Sequence, residues 1–168
     1  IIEAASYLKK YPLIKIIIIG DGSRVEWLKK QIKTKKLKNI FLEGYFPPQN
    51  LPFIMRKASI LLVSLSSDPI FSLTVPNKIQ AYLAVGKPIL ASLNGEGARI
   101  IKEAKAGISV PAESPYKLAK VILELYGMPK NHLKIMGQNG KKFFKANFDE
   151  NDLNIQLIQH LKSLIREN

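Results

Sequence analysis

The sequence predicts an α/β fold: a three-layer domain in which a central parallel sheet is covered by helices on both sides. Three observations carry that prediction. Short aliphatic runs such as Ile16–Ile19 and Ile60–Val63 alternate with segments whose apolar residues recur at helical spacing. Glycine and proline punctuate the junctions between them. Strands separated by helices argue for βαβ units, which put helices on both faces of a parallel sheet. A chain of 168 residues is one domain by length. It can bury about two-thirds of its unfolded surface without a disulfide or metal staple.

The elements follow in order. Ile1–Lys10 reads as a helix, with Pro12 enforcing the stop. Ile14–Ile19 is a β-branched run with one lysine, the pattern of a strand covered on both faces. Ser23 is a candidate N-cap, and Val25, Leu28 and Ile32 continue a helix to about Lys33. Ile40–Leu42 is a short strand, Gln49–Lys57 a short helix after Pro47-Pro48, and Ser59–Val63 a buried strand. Ser64 to Val75 is a polar, irregular loop, longer than usual connections and so a functional candidate. Pro76 suits the first turn of a helix running to Val85, with Gly86 at its C-cap. Pro88–Ala91 and Ile108–Val110 read as strands flanking a helix over Glu96–Ala104 that stops near Gly107. Three helices close the chain, near Pro115–Tyr126, Lys130–Ala146 and Asn151–Ile165.

Composition removes several classes of function. The chain has no cysteine, which excludes thiol catalysis, iron–sulfur clusters and zinc ribbons. His132 and His160 lie on C-terminal helices, and no His/Asp/Glu grouping has metal-ligand spacing, so no metal is expected. No cofactor is expected either. No apolar run approaches a membrane span and no secretory signal opens the chain, so the expectation is cytoplasmic. The chain opens on Ile1-Ile2-Glu3 inside a helical pattern, which suggests a fragment of a longer polypeptide.

Twenty-six Lys+Arg against thirteen Asp+Glu give +13. That excess fits a solvated lysine-rich surface, an acidic membrane or a phosphorylated ligand. The densest basic run, Lys29 to Lys38, has no interleaved aromatic, so nucleic acid is not the expected partner.

Ligands in parallel sheets sit at the carboxyl ends of strands, which directs attention to four loops. Gly20-Asp21-Gly22 follows a strand and opens a helix, where backbone N–H groups and the dipole favour an anion. A dinucleotide fingerprint would need a third glycine where Val25 stands, although Glu43 lies near its acidic position. The loop therefore reads as a site for another phosphorylated ligand or as a tight turn without a ligand. Asp21, Glu43, Asp68 and Glu96 are the carboxylates expected near strand ends. Ser64, Ser66, Ser67 and Ser72 have no neighbouring base, which disfavours serine hydrolysis. Thr74, Val75, Pro76, Asn77 and Lys78 bring a hydroxyl, N–H groups, a dipole and an ammonium to one helix start. A lysine in a first turn opposes the dipole, which suggests that an anion is expected there.

Four motifs in order resemble the C-terminal half of group 1 glycosyltransferases. They are Ile17 to Gly22 (IIIGDG), Asn39 to Gly44 (NIFLEG), Pro76 to Leu90 (PNKIQAYLAVGKPIL) and Gly95 to Ile101 (GEGARII). These are retaining enzymes of the GT-B fold, and the similarity points to bacterial O-antigen, capsule and colanic-acid polysaccharide synthesis. The resemblance implies a Rossmann-like domain over residues 1–168 that binds a nucleotide sugar, a UDP-sugar in this branch. The acceptor domain and the first strand would lie upstream. The acceptor would be a saccharide or lipid-linked saccharide, with peripheral contact at an acidic inner membrane.

By position, Gly20, Asp21 and Gly22 would face the donor cleft, Tyr45 and Phe46 would lie beside the base, and Thr74 to Lys78 would hold the diphosphate. The last helix would lean toward the upstream half. The family's paired glutamates fall on Leu73 and Ala81, so neither carboxylate contact can be made here. The Arg and Lys that neutralise the leaving diphosphate in the family would also lie upstream, so these residues alone are not expected to catalyse transfer. A sugar-nucleotide epimerase of the same fold and a non-catalytic nucleic-acid or membrane-binding module are the alternatives.

Overall fold

The computed structural model describes residues 1–148 and, beyond them, Ile158 and Lys162. The helix expected over Asn151–Ile165 and the histidine at 160 otherwise lie outside the described residues. Strand β1 (Ile16–Ile18) pairs in parallel with β2 (Ile40–Leu42), Ile16 opposite Ile40. Strands β3 (Leu61–Ser64), β4 (Ile89–Ser92) and β5 (Gly107–Val110) form a second parallel sheet in that order. Leu61 lies opposite Ile89, and Ile89 opposite Gly107.

One continuous sheet was expected, and the described residues form two. The backbone shows where they part. Ile16 N–H donates to Asn39 O and Glu43 N–H to Ile18 O, so the peptide groups of Ile17 point to the opposite, open edge of β1. Likewise Leu61 N–H donates to Pro88 O, just before β4, and Leu65 N–H to Ser92 O, which turns Leu62 toward the open edge of β3. There the Leu62 carbonyl accepts from the Tyr82 hydroxyl at 3.3 Å.

Eight helices accompany the strands among the described residues: α1 (Ile2–Tyr7), α2 (Val25–Thr34), α3 (Leu51–Lys57), α4 (Pro69–Ser72), α5 (Asn77–Val85), α6 (Glu96–Glu103), α7 (Pro115–Gly127) and α8 (Lys130–Phe148). Alternation along β4 decides the layering. Ile89 and Ala91 face one cluster with Ile79 and Leu83 of α5, Ile100 and Ile101 of α6, and Phe143 and Phe144 of α8. Leu90 faces the opposite cluster, with Ala4 of α1, Leu8 just after that helix, and Leu118, Ile122 and Leu125 of α7. The β3–β5 sheet is therefore the middle of three layers. On the smaller sheet, Ile16, Ile18 and Ile40 pack under α1 and α2.

Several expectations shift. Strand β1 is covered on one face only, because Ile17 is 57% exposed. Helix α1 ends at Tyr7, well before Pro12, and its C-cap Leu8 is fully buried in the α1–α7 cluster. Ser23 does not cap α2: Val25 N–H closes onto Gly22 O and Arg24 occupies the cap position. Pro48–Asn50 forms a 3-10 turn before α3. The expected loop from Ser64 to Val75 contains α4, where Asp68 Oδ1 accepts from Ile70 N–H at 3.0 Å and Pro69 fills the first position. Pro76 is the cap of α5, not its first residue, and Gly86 closes that helix in the left-handed conformation.

Candidate functional site

Parallel pairing gathers the strand-end loops into two groups. The first joins the ends of β1 and β2, where Gly20 N–H donates to Gly44 O at 2.7 Å. Gly20 and Gly22 hold φ of 133° and 154°, conformations that strain an L side chain, and each leaves open space where a Cβ would stand. The Asp21 carboxylate takes the Gly22 N–H at 2.8 Å, so this loop satisfies part of its own backbone. Tyr45 is exposed and Phe46 half-buried just beyond Gly44.

The second group forms at the ends of β3, β4 and β5. Gly95, with φ 74°, packs against the backbone of Ser72 and so seats the α4 loop on the β4–α6 turn. Ser67 Oγ donates to the Glu113 carboxylate at 2.5 Å, tying the same loop to the end of β5. Asn94 Oδ1 accepts from Ala112 N–H at 3.1 Å, and Ser92 Oγ donates to Pro111 O at 3.4 Å. Thr74 Oγ1 reaches Ile70 O at 3.5 Å.

This framework delivers the start of α5. Ile79 N–H closes onto Pro76 O at 2.8 Å, and the N–H groups ahead of it have no place in the intrahelical ladder. The helix carries neither a side-chain cap nor an acidic residue in its first turn. Lys78, exposed, stands there instead. By contrast α1, α2 and α6 each carry an acidic first-turn residue, Glu3, Glu26 and Glu96.

The strand-end carboxylates are mostly turned to partners within the chain. Asp21 and Asp68 accept backbone N–H groups. Glu96 pairs with Arg99 at 2.8 Å, and the hydrogen bond from that guanidinium holds its carboxyl below the usual glutamate range. Arg99 also binds Glu103 at 2.6 Å, and its own pKa is raised, chiefly by Glu96. Sequence reasoning missed Glu113. The available signal was its position three residues after β5, on a left-handed φ of 56°.

A groove of about 370 Å³ lies between α2 and β2, lined by Lys29, Ile32, Lys33, Phe41 and Glu43 among others. Another, of about 430 Å³, lies at β5 beside Lys102, Lys105 and Met136. Neither of these two grooves includes Thr74 to Lys78; Thr74, Asn77 and Lys78 are exposed on the shelf of loops at the ends of β3 and β4. No described helix is long and apolar enough to cross a membrane.

A family model described as glycosyl transferases group 1 matches residues 1–143. The chain is 29% identical over 151 residues to a probable glycosyltransferase of Pseudomonas aeruginosa, WbjE, covering 89% of this chain and 37% of that protein. Among solved structures, it is similar to sucrose-phosphate synthase from Thermosynechococcus elongatus, with TM-score 0.80 and 17% identity, over 99% of this chain and 43% of the other. It is also similar to Anabaena HepE, solved with UDP-glucose, with TM-score 0.78 and 19% identity, over 96% of this chain and 44% of the other. At these identities the structural likeness establishes the fold alone: the Rossmann-like C-terminal half of a GT-B architecture. The chain spans less than half the length of each of these relatives.

Proposed function

The chain belongs to the group 1 glycosyltransferases, and from that premise we propose that it is the donor-binding domain of a retaining transferase. Its donor is a UDP-sugar and the sugar transferred is a hexose. The acceptor is a saccharide or lipid-linked saccharide destined for bacterial surface polysaccharide, and the basic surface supports peripheral contact with an acidic membrane. The observation that carries the reading is the start of α5. An uncapped helix N-terminus, free of carboxylate and bearing Lys78, presents unladdered N–H groups at a strand-end shelf.

On this reading Thr74 and the backbone of Val75, Pro76 and Asn77 cradle the diphosphate, and Lys78 neutralises it. Charge develops on the diphosphate as the glycosidic bond breaks, and groups fixed in place before the reaction stabilise it without reorganising. Gly20, Asp21 and Gly22 border the cleft, and Tyr45 and Phe46 flank the base. The UDP-glucose bound by Anabaena HepE supports the choice of nucleotide.

The open edges of β1 and β3 support a further element of the same reading, in which a first strand and an acceptor domain come from upstream sequence. An order with a strand between β1 and β3 would reproduce the doubly wound sheet. Residues 1–168 are then a domain that binds donor and does not turn it over.

Titration of the chain with UDP, NADH and a short RNA separates the readings. A donor domain responds to UDP in an NMR or melting-temperature titration, with shifts centred on the strand-end loops. Tight NADH binding without a UDP response, or RNA binding with a steep log–log salt dependence, would sink the proposal.

A further inference from the structure

Strand β5 ends the β3–β5 sheet, and no described strand pairs with its outer edge. Ile89 N–H donates to Ala106 O and Leu93 N–H to Val110 O, so Ile108 and Val110 turn their peptide groups toward β4. The N–H and C=O groups of Gly107 and Ser109 therefore point outward, and both residues are half-buried rather than covered. An unpaired edge of this kind is a template for another strand, and lysines beside it keep copies of one chain apart.

Here the edge also opens into the groove of about 430 Å³, whose two walls differ. Lys102 of α6 and Lys105, just after it, stand on the face of the sheet where α6 packs against Ile89 and Ala91. Ile108 and Met136 belong to the opposite face, with Leu90. One wall is cationic and the other apolar. No carboxylate lines the groove, and Glu103, beside Lys102 in sequence, is held by Arg99. The groove beside β2, by contrast, mixes Lys29 and Lys33 with Glu43.

An extended segment alternates its side chains between the two faces of a sheet. A strand added to β5 with a carboxylate at every second position turns those groups toward Lys102 and Lys105. Its intervening apolar residues then meet Met136. A second copy of β5 fails the same match, because it sets lysine against lysine. We propose that the β5 edge docks an acidic extended segment of a partner protein, in which acidic and apolar residues alternate. Backbone pairing to Gly107 and Ser109 attaches it, and the two unlike walls select it. This docking edge stands whether or not α5 holds a diphosphate.

The test uses isotope-labelled chain and three capped peptides. One alternates glutamate and valine, one has the same residues with the glutamates gathered at one end, and one alternates lysine and valine. At about ten times its Kd, the alternating acidic peptide is expected to slow amide exchange at Gly107 and Ser109 roughly tenfold. Ile108 and Val110, already paired with β4, should change less. The gathered peptide should bind more weakly and the lysine peptide not at all. Lys102→Glu combined with Lys105→Glu should weaken the acidic peptide about tenfold. Ser109→Pro removes an outward N–H without touching the β4 ladder, a change edge strands tolerate, and should weaken it as well. Matched melts show that each variant is folded, and the lysine variant decides alone if Ser109→Pro is not. Equal slowing by the gathered peptide, or an affinity unmoved by the lysine substitutions, overturns the proposal. So does protection of Gly107 and Ser109 before any peptide is added, or self-association of the chain through this edge.

Discussion

The carbonyl oxygen of Ser72 lies directly over Gly95, where a Cβ would come within 2.0 Å of it. One turn, after β4, therefore supports the segment that leads into α5, and the conformation of Gly95 (φ 74°) is itself one that L side chains avoid. The start of α5 is thus positioned from β4 as well as from β3.

Gly95→Ala is expected to lose on both counts, strained backbone and backbone collision. A destabilisation of about 1–3 kcal/mol follows from such strain, together with a weaker response to UDP. Chemical denaturation and a UDP titration of the variant check it. Parent-like stability and affinity would show that the loop moves off Gly95 at no cost.

How far this support was readable from sequence varies with the physics involved. Local signals served well: Gly86 as a left-handed cap, the position of β2, and the helical spacing of α2 depend on neighbours in the chain. The α/β class was legible for the same reason. The separation into two sheets was not, because strand pairing is a long-range choice that the apolar pattern of β1 does not encode. The Ile14–Ile19 run looked two-sided, yet Ile17 meets solvent. Within the site, the α5 start and the glycine loops could be picked out by type and order. The Ser67–Glu113 bond spans 46 positions and depends on the end of β5 folding beside the end of β3. No local pattern announces it.

Tyr82 gives a prediction with a pH signature. Its hydroxyl donates to Leu62 O, and burial raises the phenol pKa above its usual value of 10.0. A pKa raised in the folded state contributes stability that is complete below the unfolded pKa and lost as pH rises through the folded one. Tyr82→Phe should lower stability by about 0.5–1.5 kcal/mol at neutral pH, the usual worth of a hydrogen bond. Above about pH 10 the gap between parent and variant should narrow. Melts across pH 7 to 11 read both, and a gap that widens at high pH would contradict the assigned role.

Gly137 concerns the fold alone. A Cβ there would come within 2.2 Å of Gly86 O, where α8 crosses the end of α5. Alanine favours a helix over glycine by up to about 1 kcal/mol, whereas forcing a packed contact apart costs about 1–3 kcal/mol. The collision is with backbone, so the cost should win. Gly137→Ala should lower the melting temperature, and a stabilised variant would refute the close approach.

If the start of α5 holds a diphosphate, Lys78 is the side chain that neutralises it. A hydrogen bond to a charged group contributes about 1.5–3 kcal/mol, and each 1.4 kcal/mol is about tenfold in affinity. Lys78 is exposed, so its removal should leave stability within about 0.5 kcal/mol, and loss of a first-turn cation favours the helix slightly. The measurement is calorimetric UDP affinity of parent and Lys78→Ala, with matched melts. The expected result is affinity weakened roughly 10- to 100-fold at nearly unchanged stability. UDP affinity equal in the two proteins would show that Lys78 is only solvated and would contradict the site.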